Sequence, residues 1–305
     1  MRAAIVHAIG SAPTHGEFPE PSSPAGDEVV VEVTLAGLNP VDRLQADGYE
    51  NPATPFVAGF EGVGRVGARR VYFGSTVHPH GSFAGRARVK HDALLDIPDG
   101  LSDELAIPIG IAGLSAWLPL TWETQLTGGE RVLVMGATGM VGQIATQAAK
   151  LLGAGHVVAA GRHRPTLARL LELGADQTVV LDGAPDDALV AAAGPGFDLV
   201  IDCVFGGPFR AALKCVAPRG TVIVVGLTAG TQVTLDFYEL YARRVISYAA
   251  PFVPRAERQR GFDTLAAHVA AGRIKFESQR FGLEEIEQAW AELGKSAHRK
   301  LLIEP

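Results

Sequence analysis

Three glycines in the stretch VLVMGATGMVG, Gly136, Gly139 and Gly142, have a spacing typical of loops that hold a phosphate group. The apolar residues before them predict a strand, and the residues from Met140 onward predict a helix. Glycines at such a turn allow backbone N–H groups to approach a pyrophosphate, which the positive end of the helix dipole attracts. The spacing therefore predicts a dinucleotide site. The alternative is a tight turn in an α/β domain of another kind.

The residues after the next predicted strand indicate which dinucleotide is favoured. That strand, HVVAA, is followed by Gly161, Arg162, His163 and Arg164, where a site for NAD usually has an acidic residue against the ribose. The next acidic residue, Glu172, lies inside a predicted helix. Because a guanidinium group binds phosphate through paired hydrogen bonds, the segment favours NADP(H). The alternative is that both arginines belong to a solvated loop.

Alternating strands and helices are predicted on both sides of these segments. From about residue 113, helical stretches separate six apolar runs: RVLVM, HVVAA, QTVVL, DLVIDCV, GTVIVVG and RRVISYA. Residues 140–152 place their apolar side chains on one helical face, and a second helix ends at Gly174. Strands this apolar are typical of a parallel sheet that is covered on both faces.

The first 98 residues have a different pattern. In GDEVVVEVTLAGLNP the apolar Val31, Val33 and Leu35 alternate with Glu32 and Thr34, as in a sheet with one buried face. Closely spaced glycines and prolines, as in NPATP and GFEGVGRVG, favour hairpins and loops over helices. From about residue 254 the chain mixes helix and strand patterns, and it ends in KLLIEP.

Composition and charge limit the classes of partner. The chain has 305 residues, 47% of them hydrophobic and 20% charged, as is usual for a globular protein of about two domains. Its 27 basic and 33 acidic residues give a formal charge of −6 with no basic run, so nucleic acid is not an expected partner. No apolar run reaches the ~20 residues that span a bilayer, and no secretory signal is recognised. No membrane association is therefore expected, and the expected location is the cytoplasm.

Several further segments, in the same order, resemble one family of oxidoreductases. The chain is similar to the zinc-independent quinone oxidoreductase-like branch of the medium-chain dehydrogenase/reductase superfamily in LAGLNPVDRLQADGY, FVAGFEGVGRV, GSFAGRARV, GERVLVMGATGMVGQIATQAAKLLGA and RKLLIEP. The resemblance implies an α/β fold with a GroES-like β-rich catalytic domain in residues 1–113. It implies a Rossmann domain with a doubly wound parallel sheet in residues 114–253 and a return to the catalytic domain in residues 254–305. It also implies a cleft for cofactor and substrate between the domains, and a homodimer built across the Rossmann domains.

The chain departs from the zinc enzymes of the superfamily at their metal positions. It has Asn39, in GLNPVD, where those enzymes carry a cysteine, and Glu61 without the histidine that precedes it there. Without a thiolate or an imidazole a catalytic zinc ion has no ligand set, so no metal is expected. The alternative is a metal site at His78 and His80 of VHPH, with His91 further along the chain. No third ligand follows these two histidines at a recognisable spacing.

The absence of a Lewis acid favours reduction of a polarised acceptor over oxidation of an alcohol. The implied reaction is hydride transfer from NADPH to a quinone or to the β-carbon of an α,β-unsaturated carbonyl compound (an enone or enal). Tyr49, in ADGYENP, matches a tyrosine that donates a proton in the related enoyl reductases, and it is predicted to be catalytic together with Asn39. The alternative for Tyr49 is a ring that packs against the cleft wall.

The resemblance also assigns cofactor-binding positions. Ser115 stands where the family usually has threonine, and Lys300 matches a terminal G-K pattern although Arg299 replaces its glycine; a surface lysine is the alternative for Lys300. The predicted NADP(H)-binding residues are Asn39, Ser115, Gly136, Thr138, Gly139, Met140, Val141, Gly161, Arg162, His163, Arg164, Val204, Gly226, Leu227, Thr228 and Lys300. The family's loop before RRVYFG is shortened here to GARRV, residues 67–71, a change that bears on the shape of the substrate entrance.

Other enzyme classes lack support in the sequence. Tyr238, Tyr241 and Tyr248 have no lysine four positions on, no G-x-S-x-G motif is present, and GATGMVG lacks the lysine of a Walker loop. The alternative function is NADPH binding with little turnover, in a redox sensor or in a structural or RNA-associated protein. The sequence does not define the physiological acceptor.

Overall fold

The chain forms two compact units. The computed structural model describes residues 1–22, 24, 26–182 and 186–305. Unit 1 consists of Met1–Ile111, Pro254–Ala270 and Phe276–Pro305, and unit 2 of Ala112–Val253 and Ala271–Lys275. The short segment Ala271–Lys275 thus joins unit 2, although it lies within the C-terminal return that the resemblance implies for residues 254–305.

The strands and helices of the described residues are numbered here in chain order. The strands are β1 (Arg2–Val6), β2 (Thr14–Glu17), β3 (Glu28–Leu38), β4 (Phe56–Val57), β5 (Glu61–Val66), β6 (Arg69–Phe73), β7 (Arg86–Lys90), β8 (Leu94–Asp96), β9 (Arg131–Met135), β10 (His156–Gly161), β11 (Gln177–Val180), β12 (Phe197–Asp202), β13 (Val216–Val224), β14 (Arg244–Ser247), β15 (Ser278–Gly282) and β16 (Lys300–Glu304). The helices are α1 (Pro40–Ala46), α2 (Asp103–Ala106), α3 (Ile111–Leu118), α4 (Met140–Leu151), α5 (Arg164–Glu172), α6 (Asp186–Ala193), α7 (Gly206–Lys214), α8 (Phe237–Leu240), α9 (Arg255–Ala270) and α10 (Ile286–Gly294).

Unit 1 is rich in β-structure, as its alternating pattern predicts. In its larger sheet the strands follow the order β15-β16-β3-β5-β6-β8, and β7 also pairs with β3. Along β3 the side chains of Val31, Val33 and Leu35 are buried while Glu32 and Thr34 are exposed, so the prediction of a half-buried strand is confirmed. A smaller sheet has the order β2-β1-β4, and α10 packs its Ile286 and Trp290 into the apolar core of the unit.

The shortened loop of unit 1 is a hairpin turn. Val66 of β5 pairs with Arg69 of β6, which leaves Gly67 and Ala68 as the whole connection. Gly67 has a φ of +59°, a value that glycine adopts without strain and that two-residue hairpins often require. The two strands therefore need no longer loop to be joined.

Unit 2 is a doubly wound parallel sheet. Its six strands among the described residues follow the order β11-β10-β9-β12-β13-β14, and every pair is parallel. All six predicted strands and both predicted helices are confirmed, with ends that differ by a few residues. The strand order reverses between β9 and β12, and the carboxyl ends of strands at such a point are where sheets of this kind bind ligands.

None of the helices in the described part of the chain combines the length and the apolar character that crossing a bilayer requires.

Candidate active site

The first and third glycines of the loop after β9 are required by the fold itself. Gly136 has a φ of +71°, and a Cβ atom on it would lie 2.8 Å from Cγ1 of Val204. A Cβ atom on Gly142 would lie 2.5 Å from Cα of Ala137 and 2.5 Å from the carbonyl oxygen of Gly136. The positive φ disfavours a side chain at Gly136. At Gly142 the neighbouring atoms are backbone atoms that cannot easily give way, so glycine there allows α4 to pack this closely on the turn.

The middle glycine is not required in this way. Gly139 is exposed, has a φ of −79°, and would bring an added Cβ atom no closer than 3.5 Å to any other described atom. It occupies the N-cap position of α4, where the first backbone N–H groups have no acceptor within the helix. Packing of the chain therefore gives no reason for a glycine at this position, whereas an anion that approaches the start of α4 gives one.

The segment after β10 has one paired and one available arginine. Nη2 of Arg164 lies 2.8 Å from Oδ2 of Asp182, whereas Arg162 is exposed and has no hydrogen bond or ion pair with the described residues. His163 caps α5, because its Nδ1 accepts a hydrogen bond from the backbone N–H of Thr166. Nothing in the sequence indicates the pairing of Arg164 with Asp182. Arg162 is the guanidinium group that is free to bind a phosphate.

The carboxyl ends of the central strands bring several predicted residues together. Gly161 lies against Thr138, since a Cβ atom on Gly161 would come within 2.7 Å of Cγ2 of Thr138. Gly226 lies against the backbone of Cys203, and Oγ1 of Thr228 donates a hydrogen bond of 3.4 Å to the carbonyl oxygen of Cys203. The other predicted residues of unit 2 are less enclosed: Ser115, Met140 and Val141 are half-buried, and Leu227 is exposed.

A buried carboxyl group at the end of β12 holds the loop that carries Val204. Asp202 is fully buried, and its Oδ1 accepts hydrogen bonds from the backbone N–H groups of Val204 (2.9 Å) and Phe205 (3.1 Å). Its Oδ2 has no hydrogen-bond partner among the described residues. Burial raises the pKa of Asp202 to about 6, against these two hydrogen bonds, which lower it. Asp202 is therefore a strand-end residue whose charge is unfavourable in the folded protein.

Asp202→Asn is expected to make stability less dependent on pH. Because the folded pKa of Asp202 lies above the ordinary value of 3.8, its stabilising contribution is complete below about pH 4 and is lost as the pH rises through about 6. The loss amounts to about 3 kcal/mol, because the pKa of Asp202 differs by roughly two between the folded and the unfolded protein and a difference of one corresponds to about 1.36 kcal/mol. Urea unfolding measures the free energy of unfolding of both proteins at pH 4 and at pH 7.5. The value for the asparagine variant relative to that for the unmodified protein should be higher at pH 7.5. A difference that is equal at both pH values would contradict this assignment.

Unit 1 contains a buried hydrogen-bonded cluster centred on Glu61. Oε1 of Glu61, which is fully buried, accepts hydrogen bonds from the hydroxyl of Tyr72 (2.7 Å) and the backbone N–H of Ile111 (2.6 Å). Its Oε2 accepts from Nδ2 of Asn39 (3.0 Å) and from Nζ of Lys300 (2.5 Å). Lys300 is 2% exposed, so the surface-lysine alternative is wrong. Burial, and then the Glu61 charge, raise the pKa of Tyr72 well above its ordinary value.

The register of the strands brings this cluster together. Leu301 of β16 is paired with Leu38 of β3, and Gly37 of β3 is paired with Glu61 of β5. Gly37 has to be glycine, because a Cβ atom there would overlap the carboxylate of Glu61 and lie 2.9 Å from Cε of Lys300. The glycine therefore makes room for an ion pair inside the sheet.

Asn39 is both a member of the cluster and the N-cap residue of α1. Its backbone N–H donates a hydrogen bond of 2.6 Å to Oδ2 of Asp42, whose Oδ1 accepts from the backbone N–H of Phe60 (2.9 Å). Burial raises the pKa of Asp42 to about 7, although the hydrogen bonds from Asn39 and Phe60 lower it. The turn between β3 and α1 is thus fixed to the segment that leads to Glu61.

Tyr49, the predicted proton donor, follows α1. The residue is 55% exposed, and its hydroxyl has no hydrogen-bond partner among the described residues. It is surrounded by backbone conformations that side chains rarely adopt: φ is +105° at Gly48, +65° at Glu50 and +48° at Asn51. Strained backbone of this kind concentrates at ligand-binding positions, and the phenol is free to meet a ligand.

Comparison with known proteins decides the family. Residues 140–266 match the family model described as zinc-binding dehydrogenase. The chain is 30% identical over 294 residues to the quinone oxidoreductase of Pseudomonas aeruginosa, in an alignment that covers 90% of each protein. The chain belongs to the quinone oxidoreductase-like branch of the medium-chain dehydrogenase/reductase superfamily. The predicted family is therefore confirmed.

Two further proteins are similar to the chain, one in its fold and one in part of its sequence. The solved structure of the quinone oxidoreductase from Thermus thermophilus, described with its complex with NADPH, has a TM-score of 0.82 and 28% identity, with complete coverage of both chains. A phenolphthiocerol/phthiocerol polyketide synthase protein of Mycobacterium tuberculosis is 36% identical over 221 residues. That alignment covers 67% of this chain but only 10% of the polyketide synthase, so the chain spans about a tenth of its length.

The zinc in the name of the family model does not fit the residues of this member of the superfamily. At the position where the zinc enzymes of the superfamily carry their His-Glu pair, Glu61 of this chain already accepts four hydrogen bonds, one of them from the ammonium group of Lys300. A second cation beside Lys300 would be repelled, and the carboxamide of Asn39 replaces the thiolate that zinc prefers. His80 is buried with its ring nearly perpendicular to that of Phe18, and no group of three potential metal ligands occurs among the described residues.

Proposed function

We propose that the chain is an NADPH-dependent reductase that transfers hydride to a quinone or an α,β-unsaturated carbonyl compound without the help of zinc. The observation that carries the proposal is Gly139, whose missing side chain serves no packing purpose and leaves the start of α4 open. The names of the relatives support it, because one is a quinone oxidoreductase of similar length and another was solved with NADPH.

Two glycines of the loop, Gly139 and Gly142, provide the first test. Gly139→Ala should fold with a loss of about 1 kcal/mol or less, the usual effect of alanine at an N-cap. Its affinity for NADPH should fall about tenfold, because the methyl group occupies the path of the pyrophosphate. Gly142→Ala is the matched variant, and it should lose about 1–3 kcal/mol of stability through overpacking against Ala137.

Thermal unfolding and fluorescence titration with NADPH separate the two effects. If Gly139→Ala folds and binds NADPH as tightly as the unmodified protein, the open start of α4 is not the pyrophosphate site. The proposed function would then lose its main support.

The chemistry divides between the cofactor and the chain. Bound NADPH supplies the hydride. The chain's part is to hold the pyrophosphate at α4, to pair Arg162 with the 2′-phosphate and to bring a proton donor to the acceptor. Tyr49 is proposed as that donor, because its phenol is exposed and carries no other hydrogen bond among the described residues.

Tyr49→Phe is expected to lower kcat for an enone about tenfold, since the variant loses the O–H group and keeps the ring. The Kd for NADPH should stay within about twofold, because the phenol is proposed to meet the acceptor. Tyr238→Phe, a change at a tyrosine that is 79% exposed in unit 2, is the control and should alter neither value. Unchanged turnover of Tyr49→Phe would limit Tyr49 to a packing role.

The acceptor is identified by following NADPH oxidation with a naphthoquinone, a benzoquinone, a 2-alkenal and a cyclic enone, each with and without a chelator. Turnover that the chelator does not change supports the zinc-free reductase, and the best acceptor names its substrate class. Tight NADPH binding without turnover on any acceptor would favour a redox sensor or a structural protein instead.

A homodimer formed through the edge of the unit 2 sheet is also proposed. β14 ends that sheet and pairs only with β13 among the described strands. In the segment just before β14, Phe237, Tyr238 and Tyr241 are 70%, 79% and 65% exposed, and the ring of Phe237 contacts both tyrosine rings. An exposed aromatic patch beside an unpaired strand edge is typical of a protein interface. Sedimentation equilibrium at micromolar concentration tests the proposal, and a monomer would overturn it.

A further inference from the structure

The exposed apolar side chains of unit 1 gather at one place. Among the described residues of that unit, the large apolar or aromatic residues that are exposed are Ile9, Leu44 and Tyr49, at 45%, 41% and 55%. Single apolar residues scattered over a surface are ordinary, whereas a group of them marks a contact surface. We call these three residues the apolar patch. Tyr49 is the proposed proton donor, so the patch includes the residue that is expected to meet the acceptor.

The end of α1 fixes Leu44 and Tyr49 next to each other. The backbone N–H of Tyr49 donates a hydrogen bond of 2.8 Å to the carbonyl oxygen of Leu44, and that of Gly48 donates one of 3.0 Å to the carbonyl oxygen of Gln45. Gly48 has a φ of +105°. These are the two hydrogen bonds and the glycine of a Schellman motif, in which the residues at the positions of Leu44 and Tyr49 commonly pack against each other. The motif therefore holds both residues at one end of the helix.

The loop that carries Ile9 is held against the same end of α1. The backbone N–H of Gly10 donates a hydrogen bond of 2.8 Å to the carbonyl oxygen of Ala46. A Cβ atom on Gly48 would lie 3.2 Å from Cγ2 of Ile9, so the side chain of Ile9 lies on the glycine that precedes Tyr49. The backbone that carries the patch is thus fixed by the fold, and a ligand that contacts the patch has little of the chain to order.

The charged residues beside the apolar patch are acidic. Asp47 and Glu50, on either side of Gly48 and Tyr49 in the chain, are exposed, and neither has an ion pair with a described residue. The basic residue closest to them in the sequence, Arg43, has its guanidinium group against Gly294 of α10. Two carboxylates without a partner repel an anionic group that approaches the patch, whereas they do not repel an uncharged one.

We propose that the apolar patch binds an uncharged alkyl chain of the acceptor, with the chain on Ile9 and Leu44 and the reacting group at the phenol of Tyr49. This inference rests on the proposed function and deepens it, because it makes Ile9 and Leu44 residues that determine specificity. Acceptors with a neutral alkyl chain on the reacting double bond or ring are favoured, since the chain and the patch leave water together. Acceptors whose chain ends in a carboxylate or a phosphate are disfavoured.

The length of the chain provides the test. NADPH oxidation is followed with pent-2-enal and non-2-enal, and with 1,4-benzoquinones that carry an ethyl or a hexyl group. The kcat/KM of the unmodified protein should be about 15-fold higher for the hexyl than for the ethyl compound, since each of the four added methylene groups contributes about twofold when one of its sides is covered. The hexyl compound with a carboxylate at the end of its chain should lose at least about tenfold of kcat/KM.

Two variants assign the effect of chain length to the patch. In Ile9→Gln/Leu44→Gln the ratio between the hexyl and ethyl compounds should fall to about threefold, while kcat/KM for the ethyl compound stays within about twofold of its original value. Leu151→Gln, a change at a leucine of unit 2 that is 40% exposed, is the matched control and should keep the full ratio. A role of Ile9 and Leu44 in stability alone would change both compounds equally and leave the ratio as it was.

The outcomes separate this inference from the proposed function. If neither these compounds nor any other quinone, enal or enone is reduced, the proposed function fails and the inference fails with it. If only acceptors without a chain react, if chain length has no effect, if the carboxylate is tolerated, or if the double variant keeps the full ratio, the inference is overturned while the proposed function stands.

Two further measurements keep the test decisive. If circular dichroism shows that the double variant is not folded, Ile9→Gln and Leu44→Gln decide separately, and each should lower the ratio about twofold or more; an unchanged ratio in both overturns the inference. If sedimentation equilibrium shows that the folded double variant has lost an oligomer that the unmodified protein forms, the patch is an interface between copies of the chain, and the inference is likewise overturned.

Discussion

Lys300→Met is expected to lower the unfolding free energy of unit 1 by about 3–5 kcal/mol. The variant keeps the carboxylate of Glu61 fully buried and removes the ammonium group 2.5 Å away that balances its charge. The remaining hydrogen bonds, from Tyr72, Asn39 and the backbone of Ile111, carry no full positive charge. A buried charge that has lost its partner is among the few single changes that destabilise a protein this strongly.

Hydrogen exchange followed by mass spectrometry is the appropriate measurement, since the two units can open separately. Peptides from β3, β5 and β16 should exchange faster in Lys300→Met, while peptides from the unit 2 sheet serve as an internal reference. Lys295→Met, a change at an exposed lysine of the same unit, should stay within about 0.5 kcal/mol.

A second variant shows whether the charge or the packing of Lys300 is responsible. Adding Glu61→Gln to Lys300→Met removes the uncompensated carboxylate and leaves an amide oxygen for Tyr72 and Ile111. Most of the lost stability should return, because a buried pair replaced by neutral groups of similar size is often no less stable than the pair. If the double variant is as unstable as Lys300→Met alone, the loss comes from packing and not from the buried charge.

The fold of unit 2 could be predicted because its signals are local. Runs such as RVLVM and DLVIDCV are largely apolar, and each is followed within a few residues by a glycine or a helical pattern. The strands β9 and β12 form where these runs predict them. Buried parallel strands need no long-range information to be recognised, since both of their faces are covered.

The charged cluster of unit 1 could not be predicted in the same way. Lys300 and Glu61 lie 239 positions apart, and they meet only because β16 pairs with β3 and β3 pairs with β5. Nothing near Lys300 in the sequence indicates that it is buried, since one side of it is polar, as in SAHRK. One residue in the sequence does point to the cluster. Gly37 is a glycine inside the apolar strand VEVTLAGL, and a missing side chain in a strand often marks a place where another part of the chain approaches the backbone closely.

The residues of unit 2 that are proposed to bind the cofactor could be selected from the sequence as a group, whereas their individual roles could not. The motif and the end of the second strand identify Gly136, Gly139 and Arg162 from the sequence alone. A side chain would clash with Val204 at Gly136 and would meet no close atom at Gly139. This difference depends on distances to other segments, which the sequence does not contain. The same holds for the pairing of Arg164 with Asp182, whose two side chains come from neighbouring strand ends.

Arg162→Glu is expected to reverse the nucleotide preference. The change removes a guanidinium group that has no ion pair among the described residues and places a carboxylate where the 2′-phosphate is proposed to bind. Loss of a charge-assisted pair together with repulsion between two anions should weaken NADPH binding about 100-fold or more. NADH has no 2′-phosphate, and its Kd should change by no more than about threefold.

Arg164→Ala is the control, because Arg164 has an ion-pair partner whereas Arg162 has none among the described residues. Arg164 already has Asp182 as a partner at 2.8 Å, so its loss should weaken NADPH binding by less than about tenfold. Titration of both variants with NADPH and NADH yields four ratios to the unmodified protein, of which only the one for Arg162→Glu with NADPH should be large. If NADPH and NADH weaken equally in Arg162→Glu, the residue supports the shape of the loop and does not read the phosphate. If instead Arg164→Ala has the larger effect, Asp182 serves to orient Arg164 toward the phosphate, and the free guanidinium of Arg162 belongs to the solvated surface.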